Sequence, residues 1–122
     1  MFDKGVKMNK TVVITGASRG IGAAIALNFA KLGYNIVINY NNSYDDAMQV
    51  LKKVQELEIL AIAIKADVSK YDEAKKLVDK VCEQFGRVDI LVNNAGIAEQ
   101  KLFTTITESD WKHMFDVNLL II

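Results

Sequence analysis

The 122-residue sequence contains no proline, one cysteine, one histidine and no excess of either charge, and each scarcity narrows what the chain does. With Cys82 alone, no intrachain disulfide forms, which is compatible with a reducing compartment such as the cytoplasm. Lys plus Arg and Asp plus Glu number 15 each and no basic block stands anywhere, so neither nucleic acid nor a membrane surface is indicated as a partner. No apolar run is long enough to span a bilayer, and the first ten residues, with Asp3, Lys4, Lys7 and Lys10, lack the apolar core of a signal peptide. His113 has neither ligand partners nor a Ser/Asp constellation beside it, so no metal site is expected. Without proline, linker or low-complexity segment, residues 1–122 read as one domain, with 1–9 as an N-terminal extension.

What is present is a 51% hydrophobic chain in which strand-like and helix-like runs alternate. Thr11-Val12-Val13-Ile14 reads as strand one, followed by a Gly-rich turn and a helix with the inward row Ile21, Ile25, Phe29 and Leu32, stopped by Gly33. Strand two is Asn35 to Asn39. Ser43 is expected to cap the next helix, with Asp45 and Asp46 in its first turn and a buried stripe of Ala47, Val50, Leu51, Val54 and Leu57. Strand three runs from about Leu60 to Ala66, and Ser69 with Asp72 resembles a cap for a helix of Ala74, Leu77, Val78, Val81, Cys82 and Phe85 ending at Gly86. Strand four is Val88 to Val92. Thr107 with Asp110 opens a last helix whose stripe is Trp111, Met114, Phe115, Asn118, Leu119 and Ile122.

Such alternation implies parallel strands joined by right-handed crossovers, with helices on both faces. The fold class is therefore α/β, the N-terminal half of a doubly wound Rossmann fold with four parallel strands in the order 3-2-1-4. Strand four would be an open edge in this half, so the chain is expected to self-associate or to be marginally stable.

The chain is organised around Thr15-Gly16-Ala17-Ser18-Arg19-Gly20-Ile21-Gly22, between strand one and the first helix. A helix N-terminus offers unpaired N–H groups and a partial positive charge, and glycines let a phosphate approach them. Gly16 suits the exit from the strand, Gly20 the approach to a pyrophosphate, and Gly22 the close packing of helix on sheet. The loop lacks the Gly-Lys-Ser/Thr ending of a triphosphate loop, so a dinucleotide fits better than ATP.

In such a sheet ligands lie beyond the carboxyl ends of the strands. Those exits carry the loop, Asn39-Tyr40-Asn41, Asp67-Val68 and Asn93-Asn94-Ala95-Gly96. An acidic residue at the end of strand two would bind a ribose 2′-hydroxyl and repel a 2′-phosphate, but the residue there is Asn39. Arg19 brings a guanidinium to the loop, where charge-assisted bonds to phosphate are strong. The expected cofactor is thus NADP(H) rather than NAD(H).

Together, T-G-A-S-R-G-I-G at 15–22, Asp67-Val68, Asn93-Asn94-Ala95-Gly96 and Val117-Asn118-Leu119 resemble the short-chain dehydrogenase/reductases, in the family's order and over nearly the whole chain. Within the family the pattern is most similar to the bacterial 3-oxoacyl-acyl-carrier-protein reductases. The resemblance implies that Gly16, Ser18, Arg19, Gly20 and Ile21 line the pyrophosphate and 2′-phosphate, with Gly22 and Asn39 completing the cofactor set. It implies that Asp67 and Val68 contact adenine, and that Asn93, Ala95 and Gly96 follow the ribose. Asn94 reads mainly as a strand tie. Asn118 would hold a water in the active-site network.

The same resemblance implies carbonyl reduction by a Tyr acid, a Lys that lowers its pKa and a Ser that holds the carbonyl, all expected after Asn118. No match to them occurs before Ile122. Tyr71 and Lys75 have the spacing of Tyr-x-x-x-Lys but follow strand three, and read as a surface pair. The expected function is the cofactor-binding part of an NADPH-dependent reductase of a 3-oxoacyl thioester or similar carbonyl, cytoplasmic and homo-oligomeric, the chain alone being inactive. The competing expectation is a non-enzymatic dinucleotide-binding or assembly module.

Overall fold

Two β-branched runs, 11–14 and 35–40, are buried along their whole length, and they form the middle of a parallel sheet. The computed structural model describes residues 9–94 and 120–121. Its elements are β1 (Thr11–Ile14), α1 (Gly20–Lys31), β2 (Asn35–Tyr40), α2 (Tyr44–Gln55), β3 (Ala61–Lys65), α3 (Tyr71–Phe85), β4 (Ile90–Val92) and β5 (Leu120–Ile121). The sheet order is β3-β2-β1-β4-β5, so the expected order 3-2-1-4 is present with a fifth strand added beside β4.

Because side chains alternate along a strand, each strand feeds two separate cores. Val13, Val37 and Leu91 point to one face and pack with Leu77, Val78 and Val81 of α3. Val12, Ile14, Ile36 and Ile38 point to the other, against Ala26 and Ala30 of α1 and Ala47, Val50 and Val54 of α2. Helices therefore cover both faces, as the uniformly apolar strands require. The start of β1 is fixed by Asp89, whose carboxylate accepts the Thr11 N–H at 2.8 Å and lies 3.0 Å from Arg87.

Several expectations are corrected. In α1 the fully buried row is Gly22, Ala26 and Ala30; of the expected inward row Ile25 and Phe29 are partly buried against the core, while Ile21 and Leu32 are 74% and 72% exposed. Hydrophobicity favours the larger side chains, but where the helix lies closest to the sheet only small ones fit, and the large ones pack at its flanks. Leu57 is likewise exposed at the end of α2. Ser43 stands at the N-cap of α2 without a side-chain cap bond; its backbone (φ −93°, ψ 68°) is not the extended one from which a hydroxyl reaches the next turn. The N-cap of α3 is Lys70, and Ser69 turns back to Asp67 instead.

Leu120 and Ile121, expected within the last helix, are strand: a short continuous apolar run such as Leu119 to Ile122 suits a parallel strand as well as a helix. Thr107, Asp110, His113 and the stripe of that helix lie outside the described residues. With β5 parallel to β4 in the register Ile90 to Leu120, β4 is not an edge, and that ground for self-association is removed.

The small-residue face of α1 yields a test. Ala26→Leu is expected to destabilise the fold by about 1–3 kcal/mol through overpacking. Ile21→Ala is expected to change stability by no more than about 0.5 kcal/mol, because that side chain stands in solvent. Urea unfolding of the two variants checks both.

Candidate cofactor-binding site

At the carboxyl ends of β1, β2 and β3 the chain leaves a cavity of about 330 Å³. From the first loop Gly16, Ser18 and Arg19 line it, and from the exit of β2 come Asn39 through Ser43. Ala66, Asp67 and Val68 after β3, with Asn94 after β4, complete the wall. Of the residues singled out in the sequence, Gly16, Ser18, Arg19, Asn39, Asp67 and Val68 are thus brought together. Gly20, Ile21 and Gly22 sit beside the cavity in the first turn of α1 rather than in its lining. Asn93 is half-buried at the strand exit. Ala95, Gly96 and Asn118 lie outside the described residues.

The loop is held by its backbone. Gly16, at φ +62°, donates its N–H to Asn39 Oδ1 at 3.3 Å, and its carbonyl accepts Asn94 Nδ2 at 3.1 Å. On either side of it, Thr15 N–H reaches the Val92 carbonyl at 3.0 Å and Ala17 N–H the Asn39 carbonyl at 2.9 Å. Thr15 Oγ1 accepts the Asn94 N–H at 2.9 Å. The expected strand-tying role of Asn94 is therefore visible as two bonds to the loop.

Gly22 allows this arrangement. A Cβ there would lie 2.5 Å from Asn94 Nδ2 and 2.6 Å from the Gly16 carbonyl oxygen, in the middle of the bond that joins them. Gly20 needs no such space, but its φ of +63° favours glycine.

Asn39 is only 2% exposed, and its Nδ2 faces the carbonyls of Ala66 at 3.1 Å and Ile64 at 3.3 Å. Arg19 is the opposite case: its side chain is 76% exposed and its guanidinium lies 3.9 Å from Asp46 in the first turn of α2. An exposed pair at this separation contributes little. The first turn of α1 contains no acidic residue and no side-chain cap, whereas α2 and α3 each carry two acids there.

After β3, Asp67 Oδ1 accepts both the hydroxyl of Ser69 at 2.6 Å and its N–H at 3.0 Å. The Ser69 hydroxyl bond chiefly, then the N–H bond, holds the Asp67 carboxyl below the usual aspartate range. The Asp67 N–H donates to Glu73 Oε1 at 2.7 Å, which fixes the turn against α3.

Away from the cavity, burial first and Asp79 second push the Cys82 thiol up to about 11, which suits a packing residue and not a nucleophile. Tyr71 is exposed and Lys75 pairs with Asp79 at 3.2 Å, so the apparent Tyr-x-x-x-Lys is a surface feature. No group of residues that could hold a metal ion occurs among the described residues. Sequence reasoning placed Tyr40 and Asn41 at a strand exit without assigning them to the cofactor, and missed Asn42, Ser43 and Ala66 as lining; their position near two strand ends was the available signal.

This constellation, a braced Gly-rich turn and an acid-free helix start at the carboxyl edge of a parallel sheet, agrees with the sequence model of the short chain dehydrogenases, which matches residues 10–121. The chain belongs to that family. This short-chain dehydrogenase chain is 46% identical over 112 residues to the 3-oxoacyl-[acyl-carrier-protein] reductase FabG of Staphylococcus epidermidis, covering 92% of the chain and 46% of the relative. The FabG of Staphylococcus aureus is 42% identical over 114 residues, or 93% and 46% of the two chains. The chain therefore spans about half the length of these relatives.

Among solved structures, a short chain dehydrogenase from Burkholderia cenocepacia in complex with NADP superposes with a TM-score of 0.71 at 46% identity, over 74% of this chain and 37% of that one. A 7α-hydroxysteroid dehydrogenase complexed with NADH and 7-oxo glycochenodeoxycholic acid gives 0.68 at 40% identity, over 73% and 34%. No helix among the described residues is long and apolar enough to cross a membrane.

The contact geometry at Gly22 predicts a graded response. Gly22→Ala is expected to lower stability by about 1–3 kcal/mol, since backbone and a hydrogen-bonded amide must shift. Gly20→Ala is expected to cost about 1–2 kcal/mol from backbone strain alone. In amide-exchange measurements only the Gly22 variant is expected to loosen the Asn94 N–H.

Proposed function

We propose that the chain is the cofactor-binding part of an NADPH-dependent oxidoreductase that reduces a 3-oxoacyl thioester or a similar carbonyl. The observation that carries this reading is the first turn of α1, without a side-chain cap and free of acid beside the cavity, with Arg19 as its N-cap residue. N–H groups that a helix leaves unpaired there suit a pyrophosphate. When bound, the nicotinamide would supply the hydride for carbonyl reduction.

The residues fit the cofactor in their chemistry. Gly16, Ser18, Arg19, Gly20, Ile21 and Gly22 would hold the phosphates, the glycines by admitting them close to backbone. The Asp67-Val68 exit would take the adenine, with Val68 giving it an apolar wall and the Asp67 turn fixed by Ser69. Asn93, Ala95 and Gly96 would follow the ribose, and Asn118 would join the active-site network. The carbonyl chemistry itself requires a Ser, a Tyr and a Lys that these residues do not supply.

The preference for a 2′-phosphate rests on charge. On the cavity rim a dianion would give the exposed Arg19 guanidinium a stronger partner than the distant Asp46. The relatives named reductases of 3-oxoacyl-acyl-carrier-protein support the substrate class, and the relative solved with NADP supports the cofactor. Homo-oligomeric assembly and a cytoplasmic setting belong to the same proposal.

Arg19→Ala tests the cofactor assignment. It is expected to weaken NADPH binding by about 2 kcal/mol, or about 30-fold, and to leave NADH binding within about twofold. Fluorescence titration with each cofactor measures this, and an equal loss for both would contradict the assignment.

A further inference from the structure

We propose that Asn39 is a positioning residue for the Gly-rich loop and not a reader of the ribose, so that cofactor preference is set elsewhere on the cavity rim. The inference rests on the cofactor reading only for its binding consequences; the hydrogen bonds that motivate it are independent of any ligand.

Asn39 is the last but one residue of β2, next to the strand end where a cofactor-discriminating side chain would be sought. It is 2% exposed, and both ends of its amide are occupied by backbone. Oδ1 accepts the Gly16 N–H at 3.3 Å. Nδ2 donates to the Ala66 carbonyl at 3.1 Å and the Ile64 carbonyl at 3.3 Å, with the Tyr40 carbonyl at 3.5 Å.

These partners fix which way the amide points. Reversed, it would set a donor against the Gly16 N–H and an oxygen against two carbonyls. The position therefore needs an acceptor on one side and a donor on the other, at the reach of a two-carbon side chain. An aspartate supplies the acceptor but turns its second oxygen on the carbonyls of Ile64 and Ala66. A serine reaches neither side fully. Asparagine joins the end of β3 to the first peptide of the loop, and so sets the height of Gly16 beneath the phosphate position.

A corollary follows for the rim. Ser43, whose hydroxyl makes no cap bond, and the exposed Asn41, Asn42 and Arg19 are polar residues that line the same cavity beside the β2 end. Discrimination between a ribose hydroxyl and a phosphate falls to them.

The obvious exchange for switching the cofactor from NADP to NAD is Asn39→Asp, and here it should fail to switch. At about pH 8, well below its unfolding temperature, the variant is expected to bind NADP+ and NAD+ about tenfold more weakly, their ratio holding within about twofold. Relative to the unmutated chain at each pH, the loss should shrink toward about pH 5.5. A carboxyl buried beside two carbonyls is readily protonated, and its hydroxyl can then donate to Ala66 as the amide did. Asp67 lines the same cavity, but its carboxyl is held below the usual range and stays ionised over this interval.

Asn39→Ser carries the same expectation for the cofactor ratio without added charge, and serves if the aspartate variant does not fold. Amide exchange at Gly16 in the unmutated chain tests the bond directly: slow exchange is expected. Exchange at the rate of an unprotected amide would overturn the proposal, as would an aspartate variant that binds NAD+ more tightly and NADP+ more weakly. If the unmutated chain binds neither cofactor, the functional reading fails, while the Gly16 exchange rate still decides the role of Asn39.

Discussion

The peptide groups of Gly16 are gripped from both sides, by Asn39 on the N–H and by Asn94 on the carbonyl, and the geometry of the site depends on that grip. Asn39 lies near the end of β2 and Asn94 just past β4, the two neighbours of β1, so the bonds tie the loop to β2 on one flank and to the exit of β4 on the other. A turn with φ near +62° and few side chains of its own would otherwise be free to sample many conformations. Fixing it before a ligand arrives reduces the ordering cost of binding.

The sheet makes the grip possible. Parallel pairing of β1 with β2 and with β4 brings three carboxyl ends to one edge, over strands buried on both faces. The small face of α1 then sets that helix close enough for Gly22 to lie under the bond between Asn94 and Gly16. Packing and site geometry are one constraint here: the glycine that admits the helix also admits the brace.

The strand order, the two-faced packing and the place of the cavity were legible in the sequence, because they follow from long apolar runs and from the Gly-rich turn between two of them. The orientation of α1 was not, since Ile21, Ile25 and Phe29 repeat at the same interval as Gly22, Ala26 and Ala30, and only tertiary closeness decides between the rows. The β5 pair was hidden in an apolar run with no period to separate strand from helix. The inward turn of Asn39 was also out of reach: residue identity announces an amide, but its partners at Gly16 and at Ile64 and Ala66 come from two distant places in the chain.

The central claim, that the braced loop and the first turn of α1 form a dinucleotide site, is tested most directly by titrating the isotope-labelled chain with NADP+ and following backbone amide resonances. Saturable shifts are predicted for Ser18 through Gly22 and for Asp67 and Val68, with none at Lys76 or Lys80 on the exposed side of α3. Absence of saturable shifts, or shifts confined to residues away from the loop, would contradict the account.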